Sequence, residues 1–290
     1  MDQSAREYIN IICFVRQDII GRVTNMLKKI IYLLLCTFLF TNSLPLLAKT
    51  RVVHVVVALC DNKYQGIVPV PEKIGNGQDP VNNLYWGAAY GVKTFIKKQP
   101  NWQLVTASIN PQNNILERIV FKHKIDDVYL VADAYDGQYI GQTIDDFYQY
   151  IGGAKKGSLD IQQKSIATGG GADLVVYIGH NGLMDYSIAQ LNLSAPEIND
   201  EKTRNLNAQR QAAVFACKSK PYFLPQFERA GIRPAMMTTN FMAPEAYILN
   251  ALVDSWIKKQ SPEQTREAVA QAYAKYQKIS VKSAKGLFHN

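Results

Sequence analysis

VVYIGHNG, residues 175–182, decides how this chain folds. It begins with an unbroken apolar block and ends in a turn where one histidine stands between glycines. An apolar block without polar alternation suits a strand buried on both faces, and glycine lets the backbone leave it sharply. A second stretch follows the same grammar: AAVFACKS, residues 212–219, is apolar through Phe215 and breaks at Ala216-Cys217. His180 and Cys217 therefore each stand just past the carboxyl end of a predicted strand.

Other blocks extend the pattern outward. Val52–Leu59 is apolar apart from His54, and Trp102–Ile109, Val128–Ala132 and Ala235–Thr239 complete a set of six predicted strands with Asp173–Ile178 and Ala212–Phe215. Ile115–His123 is a further element of less definite type. Helical spacing appears over Leu84–Lys98, Thr143–Tyr150, Pro244–Lys258 and Pro262–Lys278, the last opened by Ser261-Pro262-Glu263. Short apolar strands alternating with helices predict an α/β fold, a mostly parallel six-stranded sheet with helices on both faces. Residues 61–83 are dense in Gly, Pro, Asn and Asp and read as a long ordered loop, while the glycine- and lysine-rich Gly152–Gly171 reads as a mobile one.

The amino-terminal part has a different character. Residues 27–48 run LKKIIYLLLCTFLFTNSLPLLA, with two lysines, an apolar core from Ile30 to Phe40, a polar break and a small residue at Ala48. That order is the order of a secretory signal, and Met26 directly before it suggests the true start. The expected organisation is a mis-called start plus signal peptide over 1–48 and one α/β domain over 49–290. The expected location is periplasmic or secreted, with no membrane association after cleavage.

Composition narrows the function classes. Residues 49–290 carry 27 Lys and Arg against 21 Asp and Glu, scattered rather than striped. No basic stripe interleaved with aromatics is present, so no nucleic-acid partner is expected. Cys60 and Cys217 are the cysteines of that region, too few for a disulfide framework. His54, His123, His180 and His289 show no metal-ligand spacing, and no metal or other cofactor is expected.

In parallel sheets, sites form beyond the carboxyl ends of the strands. A thiol nucleophile needs a base nearby and backbone donors where the acyl oxygen becomes negative. A cysteine behind an apolar strand is most often a core thiol. Here the coincidence of Cys217 with His180, each ending a strand, points instead to a catalytic dyad. Asp133 and Asp136 follow a strand and are candidates to line the cleft or bind a cation, turn-forming carboxylates being the commoner explanation; Thr239 and its neighbours Thr238 and Asn240 stand at the end of the strand after Cys217 and are further cleft candidates. Asp185 is placed either to orient His180 or to cap the next segment.

An apolar block ending in Gly-His, followed 37 residues on by one ending in Ala-Cys, resembles the caspase-like (clan CD) cysteine peptidases. Asp133–Phe147 looks like the strand-to-helix passage before the histidine strand of that family. The resemblance implies a caspase-like fold and an exported cysteine endopeptidase that acts on a peptide or protein substrate. It implies His180 as general acid and base, Cys217 as nucleophile, and the Cys217 N–H as one oxyanion donor. The family usually has Gly after the histidine and uses its N–H for the oxyanion; here Asn181 stands there and can still offer an N–H, with Gly182 next as a further oxyanion or cleft candidate. That departure motivates the alternative, a catalytically inactive member of the same fold that binds a peptide or protein. A third option is a small-molecule binding protein in which His180 and Cys217 are incidental.

Overall fold

A computed structural model describes residues 16, 20–32, 49–191, 193 and 210–290. The chain divides into two units, Met1–Ala48 and Lys49–Asn290. In the first, 20–32 is helical; the apolar core beyond Tyr32 and the small residue Ala48 lie outside the described residues. No described helix is long and apolar enough to cross a membrane.

The second unit is built on one sheet. Its strands are β1 (Arg51–Ala58), β2 (Trp102–Gln112), β3 (Ile115–His123), β4 (Val128–Tyr135), β7 (Leu174–Ile178), β8 (Gln211–Phe215), β9 (Arg233–Thr238) and β10 (Phe288–His289). Their spatial order is β10-β9-β8-β7-β1-β4-β3-β2. The run β4-β1-β7-β8-β9 is parallel, whereas β2/β3, β3/β4 and β9/β10 pair antiparallel. A separate hairpin joins β5 (Lys156–Ile161) to β6 (Lys164–Gly169).

Helices cover both faces. They are α1 (Val92–Lys97), α2 (Ile140–Ile151), α3 (Ser219–Arg229), α4 (Ala246–Ile257), α5 (Pro262–Gln277) and α6 (Val281–Leu287). Val53, Val55 and Val57 of β1 pack with α1, α4 and α5, while Val52 and Val56 pack with α2, α3 and the hairpin. The two faces share one strand, which explains why β1 reads as a run of valines broken only by His54 rather than as an alternating strand.

The α/β class and the two-sided covering match the expectation, but the sheet has eight strands and not six. Ile115–His123 is a full strand, buried along most of its length, and turns the chain antiparallel between β2 and β4. Phe288–His289 is too short to show any period, so nothing local marks it. Gly152–Gly171 is largely the β5–β6 hairpin. Its two-residue turn places Gln162 and Gln163 at φ 49° and 67°, a job usually given to Asn-Gly, so the turn signal was missing.

The helix expected over Leu84–Lys98 shrinks to α1. A Cβ on Gly87 would strike the Val81 and Pro80 carbonyls, and one on Gly91 would strike the Trp86 backbone. These contacts fold 84–91 into tight turns that a regular helix would not allow. The α3 helix contains Pro221 and Pro225, which hid its period.

Candidate active site

β7 and β8 are adjacent and parallel, with Ile178 opposite Phe215. His180 and Cys217 each lie two residues beyond that pair, at the same level on the carboxyl edge. Neighbouring strands run about 5 Å apart, so the two turns leave the sheet side by side.

The turn after β7 depends on Gly179. Its φ is +154°, and a Cβ there would lie 2.8 Å from the Cβ of Ala58 and 2.9 Å from its carbonyl oxygen. Only glycine fits so close to the end of β1. The Tyr177 hydroxyl donates to the His180 carbonyl at 2.7 Å, which fixes the main chain under the imidazole. The ring itself is held by Asp185, with Nε2 and Oδ2 2.6 Å apart. Asp185 therefore orients His180, one of the two roles its position left open.

Asn181 and Gly182 are buried. The Asn181 side chain donates to the Cys217 carbonyl at 2.7 Å and accepts the Leu183 N–H at 3.2 Å, capping the short turn Gly182–Met184. Gly182 packs over Ile140 and Ile144 of α2. The side chain of Asn181 thus faces into the protein and joins the two site loops rather than lining an open cleft.

Cys217 is half-buried. Its Sγ lies 3.4 Å from the Met242 carbonyl oxygen and accepts the Met242 N–H at 3.5 Å. Among the described residues, no hydrogen bond joins Sγ to the His180 ring, and no acceptor takes the Cys217 N–H. The next residue, Lys218, has φ 47°, donates its N–H to the Asn240 carbonyl at 3.0 Å, and sets its ammonium 4.3 Å over the Phe241 ring. A non-glycine residue in the left-handed region makes the turn from β8 to α3 abrupt, the kind of local strain that collects at functional sites.

The end of β9 buttresses this turn. Thr238 donates to the Ala216 carbonyl and accepts the Ser219 N–H at 3.0 Å, while the Ser219 hydroxyl donates to the Val214 carbonyl at 2.9 Å. Thr239 sits at the same edge, but its hydroxyl donates to Gly286 at 2.8 Å and its N–H to Leu287 at 2.9 Å. Thr239 secures the carboxyl-terminal segment against β9.

Asp133 requires correction. It lies inside β4, fully buried, and does not line the cleft. Arg118 grips it through two N–H···O bonds of 2.5 and 2.6 Å, and His54 Nε2 lies 3.0 Å from its Oδ2. His54 Nδ1 accepts the Gly169 N–H at 2.7 Å, which leaves the ring proton on Nε2 facing Asp133. Burial works to raise the Asp133 carboxyl, but Arg118 and His54 outweigh it and hold it below the usual range. Asp136 does stand at the carboxyl edge, where it accepts from Gln78 and from the Gln138 N–H.

Several residues at the site carried no sequence signal. Burial, with Cys60, Cys217 and Tyr177 nearby, pushes the Tyr85 phenol well above its ordinary value. Tyr273 of α5 accepts the Ala243 N–H at 3.1 Å, one residue past Met242. Cys60 is fully buried, and burial, which outweighs the Tyr85 hydrogen bond, pushes its thiol up to about 11. Cys60 is a core thiol. Among the described residues, no group of three or more His, Cys, Asp or Glu is placed to hold a metal ion.

No protein-family model matches the chain, and no curated protein or solved structure matches it.

Proposed function

We propose that this chain is an exported cysteine endopeptidase of caspase-like type, with Cys217 as nucleophile and His180 as its base. One observation carries the reading: the half-buried cysteine and the histidine leave adjacent parallel strands at the same level, and Asn181 ties their turns together at 2.7 Å. The order of residues 27–48 supports export to the periplasm or beyond.

In this reading Cys217 Sγ attacks the scissile carbonyl while its proton passes to His180, which then returns it to the leaving amine. Water hydrolyses the thioester with His180 again as base. The Cys217 N–H is available to the developing oxyanion. For this step the thiol gives up its 3.4 Å contact with the Met242 carbonyl.

A second reading is favoured by one feature, the engagement of Asn181 where the family has Gly: an inactive caspase-like fold that binds a peptide or protein. Incubation with a diverse peptide library, read by mass spectrometry, separates the two. The peptidase reading predicts cleavage that disappears in Cys217→Ala and in His180→Ala. Cleavage that persists in Cys217→Ala contradicts it, and saturable peptide binding without cleavage favours the binding module.

A further inference from the structure

We infer that Asp185 is a positioning residue that fixes the tautomer of His180, so that Nδ1 is the nitrogen that receives the thiol proton. The inference rests on the proposed Cys217–His180 chemistry for its catalytic meaning, though not for its geometry. An ionised carboxylate is an acceptor only, so the 2.6 Å contact from Asp185 Oδ2 places a proton on His180 Nε2. A neutral imidazole then has its lone pair on Nδ1, and that nitrogen alone can act as base.

The local fold brings this about over a short span. Asn181 caps the turn Gly182–Met184, and the Met184, Asp185 and Tyr186 N–H groups bond back to Asn181 and Gly182 at 3.0, 3.3 and 3.0 Å. The turn carries Asp185 back onto the residue five positions before it. The His180 main chain is meanwhile clamped by Tyr177. The ring is thus restrained from the backbone on one side and from Nε2 on the other.

The pair contributes orientation far more than stability. The Asp185 side chain is 38% exposed and that of His180 14%, and a polar pair so close to solvent adds little to folding. A residue in such a position, bound to one ring nitrogen of a candidate base, acts on the proton inventory of the site.

The test uses the full chain and two readouts. Long-range ¹H–¹⁵N spectra of ¹⁵N-histidine protein, with His180 assigned by His180→Gln, report which ring nitrogen carries the proton. Peptide turnover gives kcat and KM. The inference predicts the Nε2–H tautomer in wild type, a mixture of tautomers in Asp185→Ala, and retention of Nε2–H in Asp185→Asn, which keeps an acceptor. It predicts a kcat loss of at least about tenfold in Asp185→Ala with KM changed less than about twofold, and a smaller loss in Asp185→Asn. An Nδ1–H ring in wild type overturns it, as does a tautomer unaltered in Asp185→Ala. If wild type shows no turnover while the tautomer responds to Asp185 as stated, the positioning role stands and the peptidase reading falls.

Discussion

The side-chain amide of Asn181 donates to the carbonyl of Cys217 at 2.7 Å, so the turn that bears the histidine and the turn that bears the cysteine form one unit. Asn181→Ala leaves that carbonyl and the Leu183 N–H without their partner. Loss of a buried hydrogen-bond partner costs about 1–3 kcal/mol. We expect a matching drop in the denaturant midpoint with the m-value unchanged, and the same for Asn181→Gly. An unchanged midpoint in both would mean that the bond does not hold the loops.

Gly179 leads into the histidine turn against the end of β1. In Gly179→Ala, the new methyl meets Ala58 in a backbone region that alanine avoids. Overpacking of this kind costs about 1–3 kcal/mol, and the displaced turn carries His180 with it. The expected result is reduced stability together with loss of whatever activity the wild type shows. A variant as stable and as active as wild type would contradict the close approach.

The buried group Arg118–Asp133–His54 makes stability depend on acid in a stated direction. The folded Asp133 carboxyl sits below its ordinary value of 3.8, so its contribution is present above that pH and is lost as pH falls through the lower folded value. Unfolding free energy should therefore rise with pH through the acid range, and less steeply in Asp133→Asn. At neutral pH the variant leaves Arg118 buried without its counter-charge, at a cost of about 3–5 kcal/mol. Equal slopes in wild type and variant, measured by denaturant titration at several pH values, would count against the network.

Cys60 and Cys217 should part company toward an alkylating agent. Cys60 is fully buried with its thiol pushed up to about 11, whereas Cys217 is half-buried. Thiolate fraction and access together govern such reactions. Iodoacetamide at mildly alkaline pH should modify Cys217 at least about tenfold faster, followed by peptide mass spectrometry of the full chain. Equal rates would deny that Cys217 is the more accessible thiol of the pair.

Much of this was legible in the sequence because burial on both faces leaves a plain mark. β1, β7 and β8 each read as apolar runs, and their ends predicted where His180 and Cys217 stand. What escaped notice depends on contacts between distant residues. Asp133 looked like a turn carboxylate because nothing local announces that Arg118 and His54 will enclose it. Asn181 looked like a substitute oxyanion donor, while its side chain serves the Cys217 carbonyl, 36 positions along the chain. The β5–β6 turn hides because glutamines adopt angles normally given to Asn and Gly. Met242 and Tyr273 reach the sulfur's surroundings from β9 onward and from α5, where no motif singles them out.

The central claim is that Cys217 is a nucleophile served by His180. The most direct measurement is covalent labelling by peptidyl acyloxymethyl ketones that differ in the residue bound next to the reacting carbonyl, with the adduct located by peptide mass spectrometry. The account predicts an adduct on Cys217 in wild type, none in Cys217→Ala, and labelling slowed at least about tenfold in His180→Ala. Absence of an adduct on Cys217 across the whole probe set, or labelling as fast in His180→Ala as in wild type, would contradict it.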